Sequence, residues 1–364
     1  MSVIIFIIIL AVLVFVHELG HFLAAKMSGI RVDEFGIGFP PKLLSARVGE
    51  TRYSLNLIPF GGYVKIFGEN PDTESIDGPV KHRSFVHKPK HIQAFVLAAG
   101  VLFNVIFAWL LISLGFMIGM PVPENYTNAA TIENLNMTVT GVEPRSPAEE
   151  GGLKQGDILK TLQSGEEKLE NFNGDQFREF ISARKDKEII ISIIRGSESK
   201  QITVIPRDGV VPDRAAIGVV LELLGTVRLP FHLALWEGLK LTGFLVYMTA
   251  IGLGSFLYHA VIGQAPLAEV AGPVGIAGLV SDASALGFVY LLSFTAFISI
   301  NLAVINLIPF PALDGGRILF VIIEKIKRGR ISPKVSNTIN AVGFGLLIVL
   351  MIIITYNDIV KLFQ

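Results

Sequence analysis

Cysteine is absent from all 364 residues. That excludes disulfides and any thiolate metal ligand, and it leaves the compartment open. Charge is scarce as well: 17% of residues are Asp, Glu, Lys or Arg, where a soluble domain carries about 25%. The charges balance at 31 basic and 31 acidic, so the total gives no argument for nucleic acid, and no nucleic-acid partner is expected. No Lys or Arg precedes the first apolar run, which also lacks a small-residue cleavage site at its end. It is therefore expected to persist as a span rather than act as a signal peptide. What fills the chain instead is apolar, with 51% hydrophobic residues and a mean hydropathy of +0.58. This is the composition of an integral membrane protein.

The chain begins "MSVIIFIIILAVLVFV", sixteen residues without a charge, and its first basic residue is Lys26. Further uncharged runs predict spans at about 96–119, within 283–313 and over 335–357, each long enough for the ~20 residues that cross the hydrocarbon. Basic residues crowd the loop from Arg31 to Lys90 and the connection from Lys325 to Lys334. Both loops are expected in the cytoplasm, which puts the N-terminus outside. The run at 232–262 is expected to be a membrane-associated amphipathic helix, interfacial or packed on the bundle, rather than a fifth span. The loop 31–90 alternates strand-like pieces with Gly and Pro turns. It is expected to be β-rich and near the cytoplasmic face, because irregular backbone at membrane depth must be buried or line a wet cavity.

Between the second span and that helix lies a soluble insert. Period-two alternation in "MTVTGV" (137–142), "EIIISII" (188–194) and "QITVIP" (201–206) predicts strands. "SPAEEGGLKQGDILKTL" (146–162) predicts a short helix capped by Ser146, with Glu149 three residues on, then a turn and a strand. That run resembles a PDZ domain. The expected fold class is an α-helical polytopic membrane protein, four spans plus the membrane-associated helix and the β-rich loop, with one inserted α+β PDZ domain. The parts are a membrane region at 1–124, the PDZ domain at 125–228 and a second membrane region at 229–364.

The first span carries "HELGH". His17 and His21 are four apart on a helix, so both imidazoles project from one face, and Glu18 sits about 100° round the axis. Two imidazole ligands, with a carboxylate beside them to take a proton from bound water, is the arrangement of a zinc peptidase. The alternative is a buried polar trio that joins helices. A catalytic metal wants a third protein ligand. His82, His87 and His91 lie in a basic juxtamembrane stretch suited to lipid headgroups, His232 and His259 flank the ambiguous helix, and position 27 is Met27. Glu34 and Glu50 qualify only if the loop folds back.

Asp314 is better placed. It is the first charge after 31 uncharged residues, with Pro309 and Pro311 before it and Gly315 and Gly316 after. An acid at a broken intramembrane helix reads as functional; the alternative is a helix-capping aspartate. Parity links it to the histidines. If 232–262 does not cross, the 283–313 span runs outside to inside and delivers Asp314 to their depth. If it crosses, Asp314 lies on the opposite face. The ligand set of two imidazoles and a carboxylate suits one zinc ion, and also iron or cobalt.

At this point the chain resembles the site-2 protease family of intramembrane zinc peptidases, in its bacterial regulator-of-sigma-E branch with a single PDZ domain. The pieces that carry the resemblance are "HELGH" (17–21), "FGIGFPP" (35–41), "NLIPFGGYVKIFGE" (56–69), the PDZ insert, "AGPVGIAGL" (271–279) and "ISINLAVINLIPFPALDGGRILF" (298–320). The resemblance implies a zinc metalloendopeptidase that cuts within or beside a substrate's transmembrane helix, for example an anti-sigma factor or a signal-peptide remnant. It makes His17, His21 and Asp314 the zinc ligands and Glu18 the general base. Asn306 would support substrate or oxyanion, and Gly36, Gly38, Gly61 and Gly62 would form a strand edge holding the substrate extended. In the PDZ insert, "AAIGVVLE" (215–222) with Ile217 and Gly218 would receive a peptide or C-terminus. The implied location is the bacterial inner membrane, multi-pass, with the active site toward the cytoplasmic half and the PDZ domain on the periplasmic side. Two other function classes compete: a non-catalytic membrane PDZ scaffold, and a metal transporter. The transporter would string ionisable groups across several spans, whereas here they cluster at one depth.

Overall fold

Gly29 ends the first helix. In the computed structural model, which describes every residue except 1, 71, 127–131, 197, 212–213, 265–269, 363 and 364, α1 runs Ser2–Met27. Gly29 then takes a left-handed φ of 65°, Ile30 N–H bonds back to Ala25 O at 2.9 Å and Gly29 N–H to Lys26 O at 3.0 Å. That is the glycine-terminated cap expected of a free helix end. The chain continues as two long strands, β1 (Val32–Val48) and β2 (Thr51–Ile66). The middle of β1 is flanked twice by β2: Phe35 has Tyr53 on one side and Val64 on the other, and Ile37 has Leu55 and Gly62. Gly62–Ile66 is thus an edge, and among the described residues no further strand pairs with it. A short α2 (Thr73–Asp77) follows, capped reciprocally by Asp72 and Ser75, then the long α3 (Lys90–Ile118).

By internal contacts the chain forms two compact units, 1–112 with 235–281 and 292–364, and 113–234 with 282–291. In the first, α1, the sheet and α3 share a core through Ala24, Ile30, Val32, Ile66, Phe85 and Val96. The helices meet closely: a Cβ on Gly20 would stand 2.4 Å from Ala99 O, so a larger residue there would push α1 off α3.

The second unit holds β3 (Met120–Pro123), β4 (Glu133–Val142), α4 (Pro147–Glu150), β5 (Ile158–Ser164), β6 (Glu167–Glu170), α5 (Gly174–Ser182), β7 (Ile189–Arg195), β8 (Glu198–Val204), β9 (Arg207–Val211), β10 (Arg214–Ala216) and β11 (Val219–Val227). The strands run in the order β3-β11-β4-β5-β7-β8, with β6 beside β5, and β9 and β10 form a separate hairpin. The alternating faces of β4, β5 and β7 bury Val139, Leu162, Ile189, Ile191 and Ile193 against Phe177, Phe180 and Ile181 of α5. Ser146 caps α4 by accepting the Glu149 N–H at 3.3 Å. The Glu149 carboxylate takes the N–H of Arg145 instead of that of Ser146, because Arg145 sits at φ 58° and turns its amide toward it. Asp157 is fully buried and paired in a fork by Arg195 at 2.6 Å.

The remaining helices are α6 (Phe231–Val261), α7 (Pro273–Leu286), α8 (Phe288–Leu307), α9 (Asp314–Lys327) and α10 (Pro333–Leu362). The uncharged run at 283–313 is therefore not one helix. Gly287, at φ 118°, separates α7 from α8, and α8 stops at Leu307 before Pro309. Among the described residues, five helices, α1, α3, α6, α8 and α10, are long and apolar enough to cross a membrane. The helix at 231–261, expected as amphipathic, is one unbroken 31-residue element with no charged residue from Leu241 to Tyr258. Its exposed side chains include Phe244, Tyr247 and Ile251, and those of α10 include Phe344, Leu346 and Ile352. Apolar faces of this extent belong in hydrocarbon. The protein is a polytopic membrane protein.

Candidate metal centre

Nearly three hundred residues separate His17 from Asp314, yet His17 Nε2 lies 3.0 Å from Asp314 Oδ2 and His21 Nε2 lies 3.3 Å from it. The two imidazole Nε2 atoms are 3.2 Å apart. Three donor atoms thus form a nearly equilateral triangle. Bonds of 2.0–2.1 Å to a tetrahedral zinc would set donors about 3.3 Å apart, so the triangle has the edge length that a metal imposes. Asp314 Oδ2 is buried without a hydrogen-bond partner, which is costly unless a cation sits against it. The donor set of two neutral imidazoles and a carboxylate fits zinc. Among the described residues this is the one cluster able to hold a metal ion.

Local structure explains how each donor arrives. One turn of α1 supplies both histidines. Asp314 is the first residue of α9; the capping position is Leu313, with no side-chain cap, so the aspartate is left to face the histidines. The turn before it is tight. A Cβ on Gly315 would stand 2.2 Å from Leu307 O, and one on Gly316 2.2 Å from Phe310 O. Ala312, at φ 75°, has its N–H held by Asn340 Oδ1 at 3.2 Å.

A cleft of about 490 Å³ opens onto the triangle, lined by His17, Glu18, His21, Asp314 and the β2 segment Tyr63–Ile66. Glu18 therefore faces the same space as the three donors. Gly62 abuts it: a Cβ there would stand 3.3 Å from Glu18 Cγ and 3.1 Å from Gly36 O. Gly36 faces the Tyr63 ring, Gly38 takes a left-handed φ of 79° beneath Ile58 O, and Gly61, at φ 103°, meets the Phe39 ring. These glycines shape the sheet, and of the four Gly62 is the one at Glu18. Arg317, one turn along α9 from Asp314, is ion-paired with Glu69 just beyond the edge strand. Asn306 lies in the last turn of α8, half-buried, and is not among the residues lining the cleft.

The acids considered as third ligands are engaged elsewhere. Burial pushes the Glu34 carboxyl up, but bonds from Lys42 at 2.5 Å, Ser54 and Tyr63 at 2.9 Å outweigh it and hold it down at about 2. The Arg83 guanidinium, forked on Glu50 at 2.6 and 2.7 Å, together with Lys26 at 2.7 Å, holds that carboxyl at about 2. His87 Nε2 meets Ile76 O at 2.9 Å and His259 Nδ1 meets Ser255 O at 2.8 Å.

Sequence reasoning overlooked the partner face of the histidines. Val96, Gly100 and Asn104 recur every four residues on α3. His21 Nδ1 faces Val96 O at 2.8 Å, and His17 Nδ1 faces Asn104 Nδ2 at 3.2 Å. The signal was available: an amide inside an uncharged span needs a partner.

The profile of peptidase family M50 matches residues 5–350. A Clostridium perfringens protein whose name proposes a zinc metalloprotease is 36% identical over 96% of this chain and 95% of its own. Zinc metalloprotease RasP of Oceanobacillus iheyensis is 29% identical, with 100% of this chain and 99% of that one aligned. The regulator of sigma-W protease RasP of Bacillus subtilis is 29% identical, with the same 100% and 99% aligned. The chain belongs to peptidase family M50, the site-2 proteases, and is a zinc metalloprotease.

Proposed function

We propose that this protein hydrolyses peptide bonds within or beside the transmembrane helices of membrane-protein substrates, with His17, His21 and Asp314 holding the zinc and Glu18 as general base. The observation that carries the reading is the donor triangle formed on apolar, span-length helices. When bound there, zinc polarises the scissile carbonyl and lowers the pKa of its water toward ~7. Glu18, in the same cleft, would take a proton from the attacking water and pass it to the leaving amine. Val64 and its neighbours offer an unpaired strand edge beside the ligands. A helical substrate hides its carbonyls in its own hydrogen bonds, and once unwound it can pair with this edge and lie extended across the cleft. Asn306 is assigned a supporting role toward substrate.

The second unit is assigned as a PDZ domain. A groove of about 300 Å³ runs between α5 and the Ile217–Leu221 segment, lined by Phe177, Ile181, Val219 and Leu221 with Arg178 and Arg214. Gly218 turns the chain at φ 78°, fixed by Glu143 N–H to Gly218 O and Ala148 N–H to Ile217 O, both 2.8 Å. An apolar groove ending in such a turn suits a peptide C-terminus.

Four crossings, with α6 lying laterally, is the proposed topology. α3 and α10 both start beside Glu324, which accepts from Lys90 Nζ and from Ile331 N–H. α6 begins beside Trp109, whose indole donates to Leu235 O. α7 begins beside Asp358, which accepts from Gly272 and Gly275 N–H. If α3 and α10 both cross from that shared start, both points lie toward the far face. A 31-residue α6 returning antiparallel to α3 would end about 46 Å back, and the eleven steps from Val261 to Gly272 reach no more than about 40 Å. With α6 lateral, α8 runs outside to inside. The metal site then lies toward the cytoplasmic half and the PDZ domain outside, in a bacterial inner membrane. Anti-sigma factors and signal-peptide remnants are the proposed substrate types.

The test is Glu18→Gln. Zinc content should stay near one per chain, while cleavage of a panel of transmembrane peptides falls by about 10²–10⁴-fold. Undiminished cleavage by that variant would overturn Glu18 as the base, whereas a wild-type chain that cleaves none of the peptides would leave the scaffold reading.

A further inference from the structure

We propose that Asn104 is a positioning residue for the metal: its amide oxygen accepts the Nδ1–H of His17 and fixes that imidazole in the tautomer whose Nε2 is free to coordinate. The inference rests on the zinc-site reading and adds to it a residue outside the ligand set.

Four observations carry it. Asn104 is completely buried, in a helix where an amide has no water to turn to. His17 presents Nε2 to Asp314, so Nδ1 is the distal nitrogen, and a neutral imidazole that coordinates through one nitrogen carries its proton on the other. The group facing that nitrogen, at 3.2 Å, is Asn104 Nδ2, which sets donor against donor. The Asn104 Oδ1 is meanwhile buried without a partner. Turning the amide by 180° exchanges oxygen and nitrogen at nearly the same shape and converts the pair into a donor and an acceptor.

His21 provides the internal parallel. Its distal nitrogen meets an acceptor on the same face of α3, Val96 O at 2.8 Å. The two histidines, one turn apart on α1, thus face two acceptors two turns apart on α3, with Gly100 between. Ligating histidines regularly donate their second nitrogen in this way, and the acceptor sets both ring orientation and basicity. Asn104 is itself pinned: Ser299 Oγ donates to its backbone oxygen at 2.9 Å, and Ser299 is also fully buried. Ser299 lies on α8, the helix that leads to Asp314, so one residue ties the first ligand's orientation to the element that delivers the third.

The experiment measures zinc affinity by chelator competition on the full-length protein in detergent at neutral pH, with helix content as a fold control. Asn104→Leu keeps the volume and removes the acceptor, and should weaken zinc binding about 10–100-fold. Asn104→Asp keeps an acceptor and cannot donate, and should bind within a few-fold of wild type. The cobalt(II)-loaded protein gives a second readout, with the aspartate variant retaining the wild-type visible spectrum. Leucine binding as tightly as asparagine, or aspartate as weak as leucine, overturns the proposal. If the leucine variant does not fold, aspartate decides: retained affinity supports it and a loss beyond about tenfold overturns it. Failure of the wild-type chain to bind zinc would instead defeat the underlying zinc-site reading.

Discussion

Gly100 leaves the room in which the two histidines meet. A Cβ built on it would stand 2.4 Å from His21 Nε2 and 2.9 Å from His17 Nε2, closer than any side chain tolerates. Gly in a helix interior ordinarily costs about 1 kcal/mol against Ala. Gly100→Ala should therefore leave α3 formed or strengthen it, while driving the imidazoles apart and weakening zinc binding more than ~10-fold. Zinc titration alongside thermal unfolding separates the two effects. A variant that binds zinc normally would mean the histidines can shift without loss.

Gly62 holds the strand edge against Glu18. With Gly36 O at 3.1 Å and Glu18 Cγ at 3.3 Å from the position of a Cβ, Gly62→Ala moves either the edge or the Glu18 side chain. Cleavage should fall by about 10–100-fold, as misplacement of reacting groups by an ångström does, with zinc content unchanged. Loss of zinc in parallel with activity would point to general disruption of the site.

Glu50 gives the loop an acid-sensitive tie. Its carboxyl is lowered to about 2, first by the Arg83 fork and then by Lys26. A depressed folded-state pKa contributes stability fully present above the unfolded value of about 4.5. That contribution disappears as pH falls toward 2. Wild type should therefore melt higher than Glu50→Gln at pH 7, and the gap should close across pH 4.5 to 2. A gap that does not change with pH would assign the effect to packing.

Gly218 tests the proposed peptide groove. Its φ of 78° and a Cβ position 2.4 Å from Ser146 Cβ make Gly218→Ala strained and crowded. Peptides with an apolar C-terminal residue and a free carboxylate should bind the full chain. C-terminal amidation, or Gly218→Ala, should weaken binding about tenfold or more, the scale of a lost charged hydrogen bond. Equal binding of acid and amide forms would remove the carboxylate from the recognition.

Much of this was legible in residue order, because it is local. Chain hydropathy marked the spans, since twenty apolar residues have few other uses. His17 and His21 share a face because a helix repeats every 3.6 residues, and Ser146 signals a cap by chemistry that acts within one turn. Other features escaped because they depend on distant approach. Arg317 pairs with Glu69 across 248 positions, and nothing in either segment names the other. Glu34 and Glu50 stayed open as ligands until Lys42 and Arg83 were seen to occupy them.

By itself, then, the sequence determined that the chain lives in a membrane, that α1 carries two imidazoles and a carboxylate on neighbouring faces, and that Asp314 stands at a broken helix. Those are consequences of composition and helical period. Only the tertiary structure decided that Asp314 Oδ2 lies 3.0 Å from His17 Nε2, that of the four loop glycines Gly62 is the one against Glu18, and that Val96, Gly100 and Asn104 form the wall behind the two histidines. Each is set by how closely α1, α3, α9 and the sheet pack. Glycine permits that closeness and buried polar groups require it, and neither reveals its partner one residue at a time.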